Sequence, residues 1–260
     1  MLKDLSKLFY YRELLYNLTL REIKGRYKQT AIGIAWALFQ PLSMMIVFTI
    51  VFSYFAKIQT ESIPYPLFSY CGLVAWSFFS NSLSKGTNSI IGNINLVTKI
   101  YFPREIFPIS TTISNFIDFL ISSLLFLLLA IFYKTPITPY LFAVPVIFII
   151  HTIFIIGLSL FLSALNVFKR DIGYLVPIVL QIWMFLSPVV YPVTLVPEKY
   201  RLLYMLNPVA GIIEGYRKTI LYGKMPPLVP LGFSAFIALL VFAASYSYFK
   251  KVEKKFADVI

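Results

Sequence analysis

The chain has 260 residues, of which 59% are hydrophobic, 18% aromatic and only 13% charged. A soluble domain is about half apolar and about a quarter charged, so this chain has too little polar surface to coat a water-soluble globule. The formal net charge of +12 would suit nucleic acid in a soluble protein, but here the basic residues lie between apolar segments. The composition therefore predicts an integral membrane protein, whose lipid-facing side chains need no water, and argues against a nucleic-acid partner.

Residues 1–30 predict a helix that lies on the membrane surface. Leu8, Tyr11, Leu15 and Leu18 recur at three- and four-residue spacing with charged residues between them. This pattern is typical of an amphipathic helix in the interface plane. No cleavable signal peptide is predicted, because no short apolar stretch here ends in a small-residue cleavage site. We expect a cytoplasmic interface helix over 1–30 and a transmembrane domain over 31–260.

Six segments are apolar over the roughly 20 residues that a helix needs to cross a bilayer. They cover 31–56, 65–84, 106–133, 138–166, 172–191 and 230–249. The second segment ends in the polar residues Ser77, Ser80, Asn81 and Ser82, which suit a helix that lines a path. The predicted fold class is therefore an all-α integral membrane protein with six transmembrane helices.

Lysine and arginine in short flanks predict the orientation of these spans. The amino-terminal segment, the turns after the second and fourth spans, and the tail after residue 249 are all basic. The short loops on the opposite side carry only Lys57 and Lys134. Both termini are therefore expected in the cytoplasm, as in a multi-pass protein of the inner, or cytoplasmic, membrane.

The segment 192–229 separates the fifth and sixth spans on the outer side. Leucines precede Pro208, and Ile212, Ile213, Tyr216 and Ile220 follow it at helical spacing. Because proline has no N–H to donate inside a helix, Asn207-Pro208 marks a break. We expect two short amphipathic helices here rather than a loose loop.

The sequence lacks several motifs that would bind nucleotides or metal ions. No Gly-x-x-x-x-Gly-Lys-Ser/Thr loop occurs, so ATP binding by that motif is not expected. One cysteine (Cys71) and one histidine (His151) form no metal-ligand cluster, and we expect His151 to be packed or interfacial. Asp118 is the one clear ionisable residue inside a predicted span. A serine or backbone partner on a neighbouring helix and a functional role are both open for it.

Several strings resemble the ABC-2 type permease family, most closely its polysaccharide and O-antigen export branch. The first is the run Arg21–Lys28, followed by Ile32-Gly33, Trp36 and Gln40-Pro41-Leu42. The others, in order, are Phe168–Ile172, Ser187–Pro192, Asn207-Pro208 and Glu253–Asp258.

This resemblance implies a transport subunit without catalytic residues or cofactors of its own. It implies a homodimer bound to two copies of a separate ATPase subunit, which binds ATP and Mg²⁺. The implied cargo is a lipid-linked polysaccharide of the O-antigen, capsule or teichoic-acid type. In such exporters the amino-terminal helix, the cytoplasmic turns and the tail meet the ATPase.

Two cytoplasmic turns are the candidates for coupling to that ATPase. The candidates in the turn 95–108 are Lys99, Tyr101, Arg104 and Glu105, and those after the fourth span are Arg170 and Asp171. Pro103 and Pro108 stiffen the first turn, so it could transmit motion into the spans. Plain anchoring of helix ends, or a basic flank with a local ion pair, would also explain these residues.

The basic run before the first span could serve lipids or substrate. Its members are Arg21, Lys24, Arg26 and Lys28. Attraction to anionic membrane lipids, about 1 kcal/mol per basic residue near the surface, explains it sufficiently. A further role is recognition of a substrate pyrophosphate, since arginine donates to phosphate oxygens as a fork.

Aromatic and small polar residues are the candidates for a sugar path. The path candidates are Tyr70, Trp76, Phe78, Phe79, Ser80, Asn81, Trp183 and Tyr191. Tryptophan and tyrosine also gather at membrane interfaces for reasons unrelated to transport, and this alternative stays open. The candidates for an outer gate are Tyr200, Tyr204, Tyr216 and Arg217.

Two other functions remain open at the level of sequence. One is an ABC-2 exporter of a drug, a peptide or a simple lipid. The other is an ion-coupled secondary carrier or channel, although one buried carboxylate is few for such a carrier. The sequence does not define the sugar composition, the chain length, or whether the ATPase subunit carries the sugar specificity.

Overall fold

A computed structural model describes residues 9–28, 30–58, 60, 63–100 and 102–259, and no β-strand occurs within these ranges. In chain order the helices are α1 (Arg12–Tyr27), α2 (Trp36–Phe48), α3 (Tyr65–Asn88), α4 (Ile94–Lys99), α5 (Ile106–Phe132), α6 (Val144–Phe168), α7 (Asp171–Phe185), α8 (Glu198–Met205), α9 (Pro208–Ile220), α10 (Leu228–Val252) and α11 (Phe256–Val259). The predicted all-α class is confirmed for the described residues.

Four helical segments are long and apolar enough to cross a membrane. They are Gly33–Phe55, Ile106–Phe132, Pro139–Phe168 and Leu228–Lys255. The first joins α2 to the 3₁₀ turn before it and the π-helical segment Thr49–Phe55 after it. These four coincide with predicted spans one, three, four and six. The other two, 65–84 and 172–191, remain predicted spans.

The helices in these two remaining segments fall short for different reasons. α3 has 24 residues, but serine and asparagine in its second half lower its hydropathy. α7 has only 15 residues and ends at Phe185, before the predicted end of its span. The chain turns instead at Ser187 and Pro188, where the amide of Val189 donates to the carbonyl of Ser187 over 2.7 Å. The helix therefore ends six residues before residue 191, the approximate end of the predicted span.

α3 lies at the centre of the bundle. Seventeen of its 24 residues are buried, and it packs against α2, α5, α6, α7 and α9. Small residues allow close contact between helices, as is usual in membrane proteins. A Cβ on Gly86 of α3 would stand 2.8 Å from Ser159 Oγ of α6, and one on Gly157 would stand 2.9 Å from Phe242 Cα of α10.

A second, smaller apolar cluster ties together the chain segments near both termini. Its fully buried members are Ile90, Ile106, Ala164, Phe249 and Phe256, which come from five different parts of the chain. Leu18 of α1 and Val97 of α4 also belong to it. We call this end of the molecule, which holds α1, α4 and α11, the terminal end.

Two short helices, α8 and α9, occupy the segment for which a pair of helices is predicted; their position on the outer side remains a prediction. Asn207 caps α9, because its side-chain oxygen accepts a hydrogen bond from the amide of Val209 over 3.1 Å. Pro208 follows at the first helical position, where its missing N–H costs nothing. α9 does not lie on a surface, since nine of its 13 residues are buried against α3, α6 and α10.

Candidate translocation and coupling sites

A cavity of about 400 Å³ opens between α1, α2, α3 and α5 near the terminal end. Three helices each contribute residues spaced about one turn apart, which lie on one helical face. α2 supplies Trp36 and Gln40, α3 supplies Ser77, Asn81 and Lys85, and α5 supplies Asn115, Asp118, Phe119 and Ser122. The cavity therefore has both polar and aromatic walls.

Asp118 is held by α1 rather than by a serine or a backbone group. It forms an ion pair with Arg26, and both side chains are largely buried, with 17% and 20% of their surface exposed. The hydroxyl of Tyr27 donates to Asp118 Oδ1 over 2.6 Å, and Arg26 Nη2 donates to Ser114 Oγ over 2.9 Å. Burial and then this hydrogen bond raise the pKa of Tyr27 to about 12, so the phenol stays a donor at neutral pH.

A second carboxylate anchors α1 to the same helix. Glu22 accepts hydrogen bonds from Thr111 Oγ1 at 2.7 Å and from Ser114 Oγ at 2.8 Å. Together Glu22, Arg26 and Tyr27 present one polar face to α5. Besides the apolar contact of Leu18, a polar contact therefore positions the amino-terminal helix.

The four basic candidates for a substrate headgroup fall into two groups. Lys24 and Lys28 are exposed. Arg21 donates to Asn93 Oδ1, and Arg26 is neutralised by Asp118. Arg21 is exposed as well, and its partner Asn93 is neutral, so Arg21, Lys24 and Lys28 all combine exposure with a charge that no described carboxylate pairs.

The path candidates divide between the cavity and the core. Phe78 and Asn81 line the cavity, with Phe78 only 3% exposed, whereas Ser80 is half-buried and does not line it. Tyr70 and Phe79 are completely buried and Trp76 is 5% exposed, so these three pack within the chain. Trp183 donates to Asn207 Oδ1 over 3.1 Å, and Tyr191 donates to the carbonyl of Phe185 over 2.7 Å.

Two exposed sites and one buried site make up the coupling candidates. Lys99 at the end of α4 is exposed, as are Arg170 and Asp171 at the start of α7. Tyr101 lies outside the described residues. Arg104 donates to the carbonyl of Glu253, and the fully buried Glu105 forms an ion pair with Lys250 at 2.6 Å. The turn before α5 is thus fastened to the end of α10.

Asn166, in the last turn of α6, joins the end of α3 to the start of α7. Its Nδ2 donates to the carbonyl of Thr87 at 3.0 Å and to Asn88 Oδ1 at 3.1 Å. Its Oδ1 accepts from the amide of Gly173 at 2.9 Å. A Cβ on Gly173 would stand 2.7 Å from Asn88 Oδ1, so glycine keeps this junction tight.

The outer-gate candidates are also split. Tyr200 is 52% exposed, and Tyr204 donates to the hydroxyl of Tyr191 over 3.0 Å. Tyr216 is 4% exposed and Arg217 is fully buried, so these two lie in the core instead of facing an opening. The sequence pattern did not distinguish them, because a helix that is buried on nearly all sides still has an amphipathic repeat.

Arg217 fastens three elements together. Its guanidinium donates to the carbonyls of Pro188, Val189 and Phe68, the last two at 2.6 and 3.4 Å. It also lies 3.6 Å from the centre of the Phe68 ring and 3.5 Å from Glu214 Oε1. Because a buried cation is costly without partners, this set fixes α9 to α3 and to the turn after α7.

Sequence reasoning missed Lys85, Gln40 and Asn115 as residues of the cavity. A signal was present, since Ser77, Asn81 and Lys85 follow one another at four-residue spacing on α3. His151 is packed, as expected, with its ring 5.4 Å from that of Phe78. No group of three metal-ligating side chains occurs in the ranges that the structure describes.

Comparison with known proteins agrees with the architecture. Residues 13–221 match the family model of the ABC-2 type transporter. An O-antigen export system permease protein, RfbA of Myxococcus xanthus, is 30% identical over the full length of both chains. RfbA of Klebsiella pneumoniae is 28% identical over 100% of this chain and 99% of its own length. The polysialic acid transport protein KpsM of Escherichia coli is 23% identical over 91% of this chain and 92% of its own.

The family match covers well over half of the chain, and the relatives align from end to end. The bundle of apolar helices is the structure expected of a membrane permease. The chain therefore belongs to the ABC-2 type transporter family.

Proposed function

We propose that this chain is the permease subunit of an ATP-driven exporter that moves a lipid-linked polysaccharide across the inner membrane. The observation that carries the proposal is full-length similarity to permeases named for O-antigen export, at 30% identity over 100% of the chain. The more distant likeness to a polysialic acid transport protein extends the support from O-antigen to another polysaccharide. The polar and aromatic cavity is consistent with a hydroxyl-rich cargo.

The energy comes from a partner in this proposal. Two copies of the permease associate with two copies of an ATPase subunit, which binds ATP and Mg²⁺. All six predicted spans cross the membrane, and both termini face the cytoplasm. The concentration of basic residues in the flanks at the terminal end supports this orientation.

The ATPase docks on the exposed turns of the terminal end. Lys99, Arg170 and Asp171 are accessible there and form the contact surface. Arg104 and Glu105 transmit rather than receive the motion, because they tie the turn before α5 to the end of α10. A push on α4 would then move α5 and α10 together.

Lys24 and Lys28 attract anionic lipid headgroups or the substrate diphosphate. Phe78, Ser80 and Asn81 belong to the translocation path. At the outer side, α8 with Tyr200 and Tyr204 acts as the movable gate. α9 is the fixed support of this gate, because Arg217 anchors it to α3.

Reconstitution tests the proposed function. The permease is co-purified with its partner ATPase subunit and placed in proteoliposomes with lipid-linked glycan from the producing cells. We expect the glycan to raise ATP turnover and to be translocated only when ATP is present. Translocation by the permease alone under an ion gradient, or stimulation by drugs and not by glycan, would contradict the proposal.

Removing residues 200–222 tests the gate. Loss of α8 and α9 should raise the ion leak of vesicles that contain the permease. Because that deletion also removes Arg217, a second variant with both Tyr200 and Tyr204 changed to alanine separates gating from folding. An unchanged leak in both variants would rule the gate out.

A further inference from the structure

The cavity between α1, α2, α3 and α5 differs from the anion site that the basic run in α1 suggests. Arg26 faces the cavity but is paired with Asp118. Lys85 faces both this cavity and an adjoining one, where Glu22 supplies a second carboxylate. The two cavities together hold two cations and two carboxylates. A diphosphate would meet no net positive charge here, so a diphosphate headgroup is a poor match.

The uncharged polar groups of the cavity are better suited to hydroxyls. In the described part of the chain, the side-chain amides of Gln40 and Asn81 have no hydrogen-bond partner. Each amide offers two donors and one acceptor oxygen. Lys85 Nζ, which donates to Asn115 Oδ1 at 3.0 Å, has further donors in reserve. Alternating donors and acceptors of this kind match adjacent hydroxyls on a pyranose ring.

The remaining wall is aromatic. Trp36 is 47% exposed, and the ring of Phe78 lies 5.1 Å from that of Phe119 at the inner side. Aromatic faces are apolar with negative electrostatic potential, which suits the C–H face of a sugar. Pockets of small-molecule size that combine apolar walls with a few convergent polar groups are the usual form of ligand sites.

We propose that this cavity is a carbohydrate-binding site for the sugar end of the substrate, with Gln40, Asn81 and Lys85 contacting hydroxyls, the exposed Trp36 contacting the ring face, and the buried Phe78 forming the apolar wall behind it. This inference rests on the proposed function and deepens it. It assigns recognition of sugar to the permease itself and leaves the diphosphate to be bound elsewhere. Exposed Lys24 and Lys28 on α1, with the exposed Arg21, are available cations for that purpose.

Cysteine protection tests the site directly. The natural Cys71 is 5% exposed, so the unmodified protein should react little with a maleimide. Asn81→Cys places a thiol in the cavity of the full chain in lipid nanodiscs. Gly92→Cys is the matched control, because Gly92 is exposed and has open space around its Cβ position. Both labelling rates are measured with and without ligand.

Three probes distinguish sugar from phosphate and lipid. They are oligosaccharide cut from the surface polysaccharide of the producing cells, undecaprenyl diphosphate without sugar, and inorganic diphosphate. We expect the oligosaccharide alone to protect Asn81→Cys, about tenfold at ten times its Kd. None of the probes should protect Gly92→Cys. Protection by the two diphosphates only, or no protection by any probe, would overturn the proposal.

A transport measurement separates failure of the site from failure of the proposed function. Changing Gln40 and Asn81 together to alanine should weaken the apparent affinity for lipid-linked glycan about tenfold, through lost hydrogen bonds. Lys24→Ala with Lys28→Ala is the comparison, expected to act through the diphosphate. If the Gln40/Asn81 variant exports glycan as well as the wild type does, the sugar site is rejected. The proposed exporter function would remain supported.

Discussion

At the terminal end of the bundle buried charges meet opposite charges, whereas at the end that holds α9 a fully buried cation meets carbonyl oxygens as well as the carboxylate of Glu214. Arg26 pairs with Asp118, and Lys250 pairs with Glu105, in pairs that keep 17–23% exposure on at least one partner. Arg217 is fully buried and donates to the carbonyls of Pro188, Val189 and Phe68. The two ends therefore differ in how easily their contacts can be exchanged.

This difference indicates which end of the helix bundle can move. An ion pair in which one partner keeps contact with water can open more easily, because water and lipid headgroups can replace part of the lost interaction. A buried guanidinium that satisfies several carbonyls has no replacement at hand, so its removal strands them. We infer that motion enters through the terminal end, and that α3, α9 and the turn after α7 move as one body.

Removal of Arg217 should have the largest effect. Arg217→Leu leaves three buried carbonyls without their donor, at roughly 1–2 kcal/mol each, so a loss of about 4 kcal/mol in the free energy of unfolding is expected. Thermal unfolding in detergent, followed by tryptophan fluorescence, measures it. Arg201→Leu on the exposed α8 is the control, expected to change stability by less than about 1 kcal/mol. Equal stability of the two variants would break the comparison.

A substitution that leaves Arg217 in place should weaken the same contact, which joins α9 to α3 and to the turn after α7. A Cβ on Gly72 would stand 2.4 Å from the carbonyl oxygen of Val189 and 2.6 Å from Arg217 Nη2. Gly72→Ala should therefore cost about 2 kcal/mol by overpacking. Gly232→Ala, in α10 with nothing within 4 Å of its added Cβ, should be neutral or slightly stabilising. The same thermal unfolding experiment tests both variants. An unchanged stability of Gly72→Ala would mean that the contact between α3, α9 and the turn after α7 is packed more loosely than inferred.

The sequence alone predicted the helices better than their contacts. Apolar length located the four spans, and Asn207-Pro208 located the break between α8 and α9, because both signals are local. It did not show that Arg217 is buried while Tyr200 is exposed, since that depends on which helices surround α9. Nor did it pair Asp118 with Arg26, which is 92 residues away along the chain.

The cavity could not be predicted from the sequence either, because it depends on contacts between helices. Ser77, Asn81 and Lys85 form a polar face on α3 that the sequence reveals. A cavity forms only where polar faces of other helices, here α2 and α5, pack opposite this face. The polar faces of α2 and α5 are short and mixed with phenylalanine and serine. Their convergence follows from helix packing, which single-chain periodicity does not specify.

At the terminal end, loss of the Glu105–Lys250 pair should reduce transport more than it reduces the stability of the fold. Glu105→Gln removes the charge from a buried carboxylate and keeps its shape, so we expect a loss of only about 1 kcal/mol in stability. Export per ATP hydrolysed should fall several-fold, about 1 kcal/mol of coupling, because the turn before α5 is no longer tied to α10. Lys250→Met is the partner variant, and the double variant should lose no more than the worse single one. Full additivity would show that the two residues act separately.

The smallest effect is expected from Tyr27, and its contribution to stability is lost only at high pH. Tyr27→Phe removes one hydrogen bond to Asp118 and should cost about 1 kcal/mol at neutral pH. Because the folded-state pKa of Tyr27 is about 12 and the unfolded value is 10.0, the folded protein binds more protons between these two pH values. Stability contributed by Tyr27 is therefore complete below pH 10 and decreases as the pH rises toward 12. The difference in unfolding free energy between the wild type and Tyr27→Phe should shrink over this range, as measured by chemical denaturation at pH 8 and pH 11. A constant difference would show that the phenol is not held as a donor by Asp118, and that the contact between α1 and α5 is more hydrated than the ion pair with Arg26 implies.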